Sequence, residues 1–373
     1  MRTRRDVLGF LAATALAGSL VKGSSAFSQT GVGAASARKT DEVDNPESFN
    51  HRFATVNRIR MHYVEEGRGP LVILLHGYPF LWYLWRHQIK ALAAAGYHVV
   101  APDQRGYGQT DCPPDVDSYD FTHLAGDVVG LIKTLGSESA VLVGQDWGSH
   151  VVYNTTLMRP DLVRGVLMMC SPPSARGPVR PSDATKALSA KYKGLHFYQS
   201  YLAQPEAEAE IMRDLRRFLL GMFYSTSGYC PVDKQWRWAW KDPETFSDTY
   251  TVPTTLPPHL SEKALDYYVS QFTRTGIKPA NNWYAAIDKG WENTSFLDGA
   301  VVRQPAFFLG GERDPSTKPV FGIDRQGPAF KGLKTAFSDM REIIIMPGVG
   351  HTPPEERPEE VNAIVLKFLK DIG

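Results

Sequence analysis

The sequence predicts an α/β fold with a mostly parallel central sheet, helices on both faces and an inserted helical cap. Short apolar runs alternate with helix-like segments near both ends of the 373-residue chain, which is typical of parallel strands joined by crossover helices. Between about residues 174 and 291, long helix-like segments rich in aromatic residues replace that alternation. An aspartate between two glycines follows one of the apolar runs, at the sheet edge where such folds place their ligands.

The predicted core occupies residues 47–173 and 292–373. Continuous apolar runs predict buried strands, alternating runs predict strands with one wet face, and apolar residues at helical spacing predict helices. The predicted strands are Val56–Glu65, Leu71–Leu75, His98–Ala101, Ala140–Val143, Val163–Met169, Ala306–Leu309 and Ile343–Met346. The predicted core helices are Leu81–Ala95, Phe121–Leu135, Ser149–Met158 and Glu359–Leu369.

The predicted cap comprises residues 174–291 and is mainly helical. Its helix-like pieces are Leu195–Leu202, Ala207–Phe223 and Glu262–Thr273. A loop-rich segment, Ser225–Pro258, separates the second piece from the third and carries Trp236, Trp238 and Trp240. These tryptophans favour a roomy apolar pocket, but they fit a packed core or a subunit interface equally well, and a homodimer stays open.

The N-terminus is typical of an export signal. Basic residues at positions 2–5 precede an apolar run, Val7–Leu20, and the small residues Ser24-Ser25-Ala26. We interpret residues 1–26 as a signal peptide that resembles the twin-arginine type and residues 27–46 as a flexible leader. The apolar run is shorter than the roughly 20 residues of a membrane span. We therefore expect an exported, periplasmic or secreted protein without a stable membrane span, although a general secretory signal or an uncleaved anchor remains an alternative.

Composition excludes several other classes of function. The formal net charge is +1, which gives no indication of nucleic acid as a partner. The cysteines Cys112, Cys170 and Cys230 are widely spaced and form no CxxC pair, so they indicate neither a disulfide framework nor a zinc site. A single bridge stays open. We expect no metal or organic cofactor.

The segment Gly144-Gln145-Asp146-Trp147-Gly148 has the form of a nucleophile elbow, in which a strand, a sharp turn and a helix present a reactive side chain. The usual serine is replaced by Asp146, and Gly-x-Ser-x-Gly occurs nowhere in the chain. A carboxylate in this place attacks an sp3 carbon, as in an epoxide or an alkyl halide, and leaves an ester that water hydrolyses. The alternative interpretation is an ordinary surface turn.

Two further residues complete a predicted catalytic triad. In this type of fold the order along the chain is nucleophile, acid, histidine. Asp314 follows the strand Ala306–Leu309, and His351 follows Ile343–Met346. His351 has the pKa range of a base near neutrality, and Asp314 is expected to orient its ring, with Glu312 as the competing acid.

His76-Gly77-Tyr78-Pro79 follows the strand Leu71–Leu75, where the fold usually forms its oxyanion hole. The backbone N–H groups of Tyr78 and Trp147 are expected to bind one oxygen of the Asp146 ester. We expect a cis Tyr78–Pro79 bond, because turns this tight often use one. We interpret His76 as structural.

From about Phe53 to Phe368 the chain resembles the α/β-hydrolase-fold epoxide hydrolases. His76-Gly77-Tyr78-Pro79 matches the family's His-Gly-x-Pro, and Gly144–Gly148 matches its elbow with an aspartate nucleophile. Asp314 and His351 fall on the family's acid and base. The resemblance implies hydrolysis of an epoxide to a vicinal diol through an ester on Asp146, with a small apolar epoxide and water as the partners.

The resemblance also implies that two cap tyrosines bind the epoxide oxygen. The first-tyrosine region assigns Tyr198, with Tyr201 as its substitute, and His196 is a further candidate because some secreted members use a His-Tyr pair. Asn281-Asn282-Trp283-Tyr284 assigns Tyr284 to the second position, although Ala285 replaces the family's usual arginine. Trp147, Tyr201 and His196 are thus the predicted substrate-binding side chains.

The nearest alternative is a haloalkane or haloacid dehalogenase with the same nucleophile. The indole N–H of Trp147 suits a halide, but Tyr78 stands where many haloalkane dehalogenases carry asparagine. Cys170 stands where some hydrolases carry an alternative acid, a role that a cysteine does not fill. A more distant alternative is a non-catalytic binder of small molecules, which a complete triad disfavours.

Overall fold

The core of the protein is an eight-stranded sheet with the strand order β1-β2-β4-β3-β5-β6-β9-β10. It is seen in a computed structural model that describes residues 43–373, except for the side chains of Gln326 and Ala329. The core strands are Asn50–Val56 (β1), Ile59–Glu66 (β2), Leu71–Leu75 (β3), His98–Pro102 (β4), Ala140–Gln145 (β5), Val163–Met169 (β6), Ala306–Gly311 (β9) and Met340–Met346 (β10). From β4 to β10 neighbouring strands are parallel, which confirms the predicted fold class.

The edge strand β1 and its neighbour β2 form an antiparallel hairpin, and here the predicted single strand Val56–Glu65 is wrong. Asn57 and Arg58 have φ values of +43° and +67°, as a two-residue turn between paired strands requires. Val56 pairs with Ile59 across the turn. Strand β1 has little apolar periodicity, because only Val56 of this strand is fully buried.

Helices cover the sheet and carry the chain from each strand to the next. Those of the first half of the core are Arg86–Ala94 (α1), Phe121–Thr134 (α2) and Trp147–Met158 (α3). The chain between β6 and β9 contains Pro181–Lys191 (α4), Tyr198–Leu202 (α5), Pro205–Arg213 (α6), Leu215–Ser225 (α7), Glu262–Thr275 (α8), Lys278–Ala285 (α9) and Ile287–Asn293 (α10). The last are Gln326–Ala336 (α11), Pro353–Glu356 (α12) and Pro358–Asp371 (α13).

The inserted segment between β6 and β9 departs from the prediction in two places. The predicted helix Leu195–Leu202 begins as a short strand, Leu195–Phe197 (β7), which pairs with Ala239–Lys241 (β8), and only its second half is helical. The predicted helix Ala207–Phe223 is two helices, because Asp214 has a non-helical backbone and caps α7 by accepting a hydrogen bond from the N–H of Arg217. Helix α4 was not predicted, since it buries none of its residues and shows no apolar periodicity.

The inserted segment and the core touch directly above the carboxyl ends of the parallel strands. The indole of Trp283 donates a hydrogen bond of 3.0 Å to the carbonyl oxygen of Arg105. The N–H of Gly228 donates to the carboxylate of Glu356 at 2.7 Å. Among residues 43–373 no helix is long and apolar enough to cross a membrane. The predicted signal peptide and most of the predicted leader lie outside the described residues.

Candidate active site

The turn between β5 and α3 holds Asp146 in an unusual backbone conformation. Its φ is +53° and its ψ is −119°, which a residue with a side chain adopts only where the surroundings enforce it. Its N–H donates to the carbonyl oxygen of Met169 at 3.0 Å, and its own carbonyl oxygen accepts from the N–H of Ser149. These bonds fix the direction in which the carboxylate leaves the backbone.

The glycines on either side of Asp146 are required by close approach. A Cβ on Gly144 would lie 2.3 Å from the carbonyl oxygen of Gly148, and one on Gly148 would lie 2.0 Å from the carbonyl oxygen of Leu75. Both distances are shorter than any real contact, so a side chain at either position would force the elbow open. The elbow motif therefore reflects packing of three backbone segments around the Asp146 carboxylate.

Asp146, His351 and Asp314 lie in one line of contacts. The His351 Nε2 atom is 3.4 Å from Asp146 Oδ2, and its Nδ1 atom is 2.9 Å from Asp314 Oδ2. The other oxygen of Asp314 accepts a hydrogen bond of 2.8 Å from the N–H of Ser316. The competing acid Glu312 instead accepts from the N–H of Gly348 at 2.9 Å. The structure thus brings together the three residues expected from the sequence.

The protonation states of Asp146, His351 and Asp314 depend on one another. Burial alone would lower the pKa of His351, but the carboxylates of Asp314 and Asp146 raise it well above its ordinary value. Burial likewise opposes ionisation of Asp146, yet its contacts with His351 and with two backbone N–H groups hold the pKa of its carboxyl below the usual range. The free protein therefore holds an aspartate–imidazolium pair at neutral pH.

The backbone around Tyr78 forms the expected oxyanion hole. The N–H of Tyr78 donates to Asp146 Oδ1 at 3.0 Å, and the N–H of Trp147 donates to the same carboxylate. The Tyr78–Pro79 bond is cis, which confirms that prediction. His76 accepts from the N–H of Gln104 through Nε2 at 3.0 Å; burial lowers the pKa of this histidine to about 4, so it is a neutral structural group.

Tyr198 and Tyr284 approach Asp146 from the inserted segment. Tyr198 is the first residue of α5, and its ring packs edge-on against Trp236 and Tyr284, with centroids 4.8 and 5.7 Å apart. Tyr284, near the end of α9, also packs edge-on against Trp147 and Tyr78, both at 5.2 Å. Aromatic contacts on several sides fix the direction of both rings.

Both phenols are neutral donors at working pH. Burial raises the pKa of Tyr198 to about 12, although Arg325 beside it opposes the shift. Burial raises the pKa of Tyr284 still further above its ordinary value. Tyr198 is thus the stronger acid of the pair.

Two cavities share Asp146 and Tyr198 in their walls. A lobe of about 30 Å³ is lined by Asp146, His351, Tyr198 and Tyr284, and since a water molecule needs roughly 10–15 Å³ measured in this way, the lobe has room for one or two. A larger cavity of about 440 Å³ is lined by Asp146, Trp147 and Tyr198 together with residues of α3, α4 and α10. The larger cavity can therefore hold the body of an organic substrate, and the small lobe can hold the atoms that react with Asp146, Tyr198, Tyr284 and His351.

Comparison with known proteins agrees with this geometry. Residues 70–358 match the family described as alpha/beta hydrolase fold. Epoxide hydrolase A of Mycobacterium tuberculosis is 39% identical over 324 residues, which cover 85% of this chain and 96% of that protein. Epoxide hydrolase 1 of Siraitia grosvenorii is 32% identical over 331 residues, or 87% of this chain and 99% of that protein.

Solved structures give the same result. The crystal structure of epoxide hydrolase A from Mycobacterium thermoresistibile has a TM-score of 0.77 and 39% identity, covering 86% of this chain and 98% of that one. The structure of an epoxide hydrolase from an endophytic Streptomyces has a TM-score of 0.81 and 36% identity, covering 86% and 95%. The chain belongs to the α/β-hydrolase-fold epoxide hydrolases.

Two residues that were predicted to bind the substrate, Tyr201 and His196, lie away from this epoxide hydrolase site. The hydroxyl of Tyr201 donates to Glu210, and its ring packs against Trp240 and Phe246 rather than lining either cavity. His196 stands on β7, is largely exposed and contacts Asp242 at 3.1 Å. One helical turn separates Tyr198 from Tyr201, and the strand pairing of β7 turns His196 outward, so neither side chain reaches the nucleophile. Trp147, by contrast, lines the larger cavity.

Three residues of the site were not predicted. Glu356 is buried and accepts hydrogen bonds from the N–H groups of Gly350 and Gly228, which ties the His351 loop to the inserted segment. Asn281 accepts from the hydroxyl of Tyr78 at 3.1 Å. Arg325 lines the larger cavity beside Tyr198. Each role depends on contacts between distant segments, for which one sequence carries no signal.

Cys170, Asp314 and His351 offer potential metal ligands within 4.8 Å of one another. However, His351 Nδ1 is already hydrogen-bonded to Asp314. Burial raises the pKa of the Cys170 thiol well above its usual value, so the thiolate form that binds metals is disfavoured. This cluster is better explained as the support of the triad. Trp236, Trp238 and Trp240 are buried, and of these Trp236 lines the small lobe.

Proposed function

We propose that the protein hydrolyses epoxides to vicinal diols through an alkyl-enzyme ester on Asp146. The observation that carries this proposal is the small lobe, because a nucleophilic carboxylate, a histidine base and two phenols line the same space. A dehalogenase has no use for two phenols beside its nucleophile, since a halide leaves without a proton. An epoxide needs them, because its oxygen stays in the product and must be protonated.

In the first step, Asp146 attacks one carbon of the epoxide. Oδ1 accepts a hydrogen bond of 3.0 Å from the N–H of Tyr78, whereas the contact of Oδ2 with His351 Nε2 is longer, at 3.4 Å, so Oδ2 is the oxygen that forms the new C–O bond. The bond between this carbon and the epoxide oxygen breaks, and a phenol donates its proton to the developing alkoxide. Tyr198 is the proton donor, since its pKa of about 12 is the lower of the two. Tyr284 binds the same oxygen.

In the second step, His351 removes a proton from water in the small lobe, and the resulting hydroxide attacks the carboxyl carbon of the ester. Negative charge then develops on Oδ1, to which the N–H of Tyr78 already donates, and the N–H of Trp147 lies at the same carboxyl group, so the tetrahedral intermediate is stabilised without reorganisation. Its collapse releases the diol and restores the Asp146 carboxylate. After ring opening the His351 imidazolium gives its proton to the Tyr198 phenolate, so the histidine is neutral when water attacks. Of the two protons of the water, one then stays on His351 and the other passes to the leaving oxygen, which restores the starting state of the site.

Ester formation itself prepares His351 for this role. In the free protein the Asp146 carboxylate helps to raise the pKa of His351. When Asp146 becomes a neutral ester that contribution disappears, while the contribution of Asp314 remains. The pKa of His351 therefore falls once the covalent intermediate has formed, and the histidine becomes a base at the step that needs one.

A single turnover in water enriched in ¹⁸O tests the covalent route. With enzyme in excess over a terminal epoxide, the first diol should contain no ¹⁸O, because its new oxygen comes from Asp146. The label should instead appear in the peptide that carries Asp146. Label in the first diol would mean direct attack by water and would contradict the proposal. Asp146→Asn is the control and should give no fast diol formation.

Haloalkanes of matching size test the dehalogenase alternative. Release of halide without turnover of an epoxide would favour that alternative.

We further infer that the protein is exported through the twin-arginine pathway. The support is the basic, apolar and small-residue pattern of residues 1–26. Expression of the full chain in a bacterium that has this pathway should give a protein outside the cytoplasm whose N-terminus begins near residue 27. Replacement of Arg4 and Arg5 by lysine should retain it inside. Export that survives this change would contradict the inference. The open question of a homodimer is separate, and light scattering of the exported protein tests it.

A further inference from the structure

The larger cavity carries an excess of positive charge. Among its described lining residues, the arginines are Arg176 and Arg325, and the carboxylate is that of Asp146. The charge of Asp146 is balanced by His351 at 3.4 Å. Neither arginine forms an ion pair with an acidic residue within the described part of the chain. A neutral apolar substrate would leave both guanidinium groups without a counter-charge.

Arg325 is the better placed of the two to bind a ligand. It stands immediately before α11, and its guanidinium lies over the ring of Trp238, with Cζ 5.0 Å from the ring centroid. Trp238 is itself fixed, since its indole N–H donates to the carbonyl oxygen of Lys318 at 2.9 Å. One N–H of Arg325 donates to the phenol oxygen of Tyr198, which leaves the phenol proton free for the substrate.

The remaining donors of Arg325 are not all used. Its Nη1 atom is buried and has no hydrogen-bond partner among residues 43–373. A buried donor without a partner costs about 1–3 kcal/mol, and the cost is greater for a charged group. The cost is relieved when the guanidinium turns toward the cavity and a ligand there supplies the acceptor. A carboxylate suits a guanidinium best, because its two oxygens match two N–H groups.

Arg176 is held at the wall of the same cavity by Trp291. Its Nε donates to the carbonyl oxygen of Trp291 at 3.1 Å, and its Cζ lies 3.8 Å from the centroid of the Trp291 ring. It therefore adds positive potential to the cavity while being held at the wall. Its contribution to an anion is long-range attraction rather than a fixed contact.

We infer that Arg325 binds a carboxylate on the substrate, so that the protein acts on carboxylate-bearing epoxides. This inference rests on the proposed function and refines the small apolar epoxide that the sequence suggested. Tyr198 touches both Arg325 and the lobe where the epoxide opens. A substrate whose carboxylate is bound by Arg325 would therefore have its epoxide within reach of the Tyr198 phenol. The aromatic wall of Phe121, Trp147 and Trp291 receives the apolar part of the substrate.

Matched pairs of substrates test the inference. Terminal epoxides that end in a carboxylate, with alkyl chains of varied length, are compared with their primary amides, which have the same shape and no charge. The wild-type protein should prefer the acid by about tenfold or more in kcat/KM, the ratio that about 1.4 kcal/mol supports. Arg325→Met should lower the ratio of acid to amide by about that factor, mainly through KM for the acid. Arg325→Lys should retain part of the preference.

Arg176→Met is the matched control, because it removes a guanidinium from the same cavity. It should lower the ratio of acid to amide less than Arg325→Met does, and the loss should shrink at high salt because it is long-range. Equal turnover of acid and amide by the wild-type protein would overturn the inference. Equal loss for acid and amide in Arg325→Met would also overturn it, since Arg325 would then act only by holding Tyr198.

A binding measurement keeps the inference separate from the proposed function. Asp146→Asn removes the nucleophile and permits calorimetry with intact epoxides. The acid should bind about tenfold more tightly than its amide, and Arg325→Met in this background should abolish the difference. If no epoxide is turned over but this pattern holds, the proposed function fails and the carboxylate site stands. If both epoxides are turned over and bind alike, the carboxylate site fails and the proposed function stands.

Discussion

The core and the inserted cap hold their functional groups in different ways. In the core, Asp146, Asp314 and His351 each follow a parallel strand, and backbone hydrogen bonds set their directions. In the cap, Tyr198 and Tyr284 are held by edge-on contacts with other aromatic rings. A core residue is thus positioned by the path of the main chain, whereas a cap residue is positioned by its neighbours.

This difference separates the chemistry into two parts. Groups on the core form and hydrolyse the ester, and groups on the cap bind and protonate the epoxide oxygen. Substitutions in the two regions should therefore stop the reaction at different stages. Kinetic experiments that measure ester formation separately from ester hydrolysis test this assignment of steps to the two regions.

The largest effect is expected for the core substitution His351→Gln. Loss of the general base should slow ester hydrolysis by on the order of 10⁴-fold, while ester formation continues because Asp146 and both phenols remain. The intact protein mixed with a terminal epoxide should gain the full mass of the substrate, since ring opening by addition loses no atoms.

The double variant Asp146→Asn, His351→Gln is the control and should gain no mass. If the single variant turns over slowly without an adduct, hydrolysis of the ester is not the step that His351 serves. The assignment of ester hydrolysis to groups on the core would then be wrong.

The same division explains which parts of the molecule could be predicted from the sequence. The elbow, Asp314 and His351 follow strands and lie in short motifs with glycine or proline, so sequence order located them. Tyr198 and Tyr284 required a family resemblance, and the companions proposed for Tyr198, namely Tyr201 and His196, lie outside both cavities.

Arg325 and Glu356 could not have been predicted, because neither stands in a recognisable pattern. Glu356 acts by joining Gly228 to Gly350, which are far apart in sequence. Arg325 contacts Tyr198 although the two residues are more than 100 positions apart in the sequence. The predicted helix Leu195–Leu202 failed for a related reason, since its first half pairs with β8, a partner that local periodicity does not reveal.

An intermediate effect is expected for the cap substitutions Tyr198→Phe and Tyr284→Phe. Each should slow ester formation by about 10²-fold and leave hydrolysis of the ester nearly unchanged, so no adduct should accumulate. The loss should be greater for Tyr198, whose pKa of about 12 makes it the better proton donor. Rapid-quench measurement of the first turnover gives the two rates separately.

Tyr201→Phe is the matched control for these variants. Tyr201 belongs to the same short helix as Tyr198, but its hydroxyl contacts Glu210 rather than the cavity. Ester formation in this variant should match the wild-type rate. A loss as large as that of Tyr198→Phe would mean that the phenols act through cap stability, and the assignment of Tyr198 as proton donor would be withdrawn.

The smallest effect is expected in the free energy of unfolding, through the interaction of His351 with the Asp146 carboxylate. Since the folded-state pKa of His351 is raised, its contribution to the free energy of unfolding is fully present below the unfolded pKa of about 6.5 and is lost as pH rises through the folded pKa. Asp146→Asn removes one of the carboxylates that raise it, so the variant should lose this contribution at a lower pH. The stability advantage of the wild type over Asp146→Asn should therefore shrink as pH rises from the folded-state pKa of His351 in the variant to that in the wild type, by on the order of 1 kcal/mol. Urea unfolding across this range measures it, and Tyr198→Phe should follow the wild-type curve because the phenol stays neutral there. A constant difference between wild type and Asp146→Asn would mean that the Asp146 charge does not reach His351, and the proposed fall in the pKa of His351 on ester formation would lose its basis.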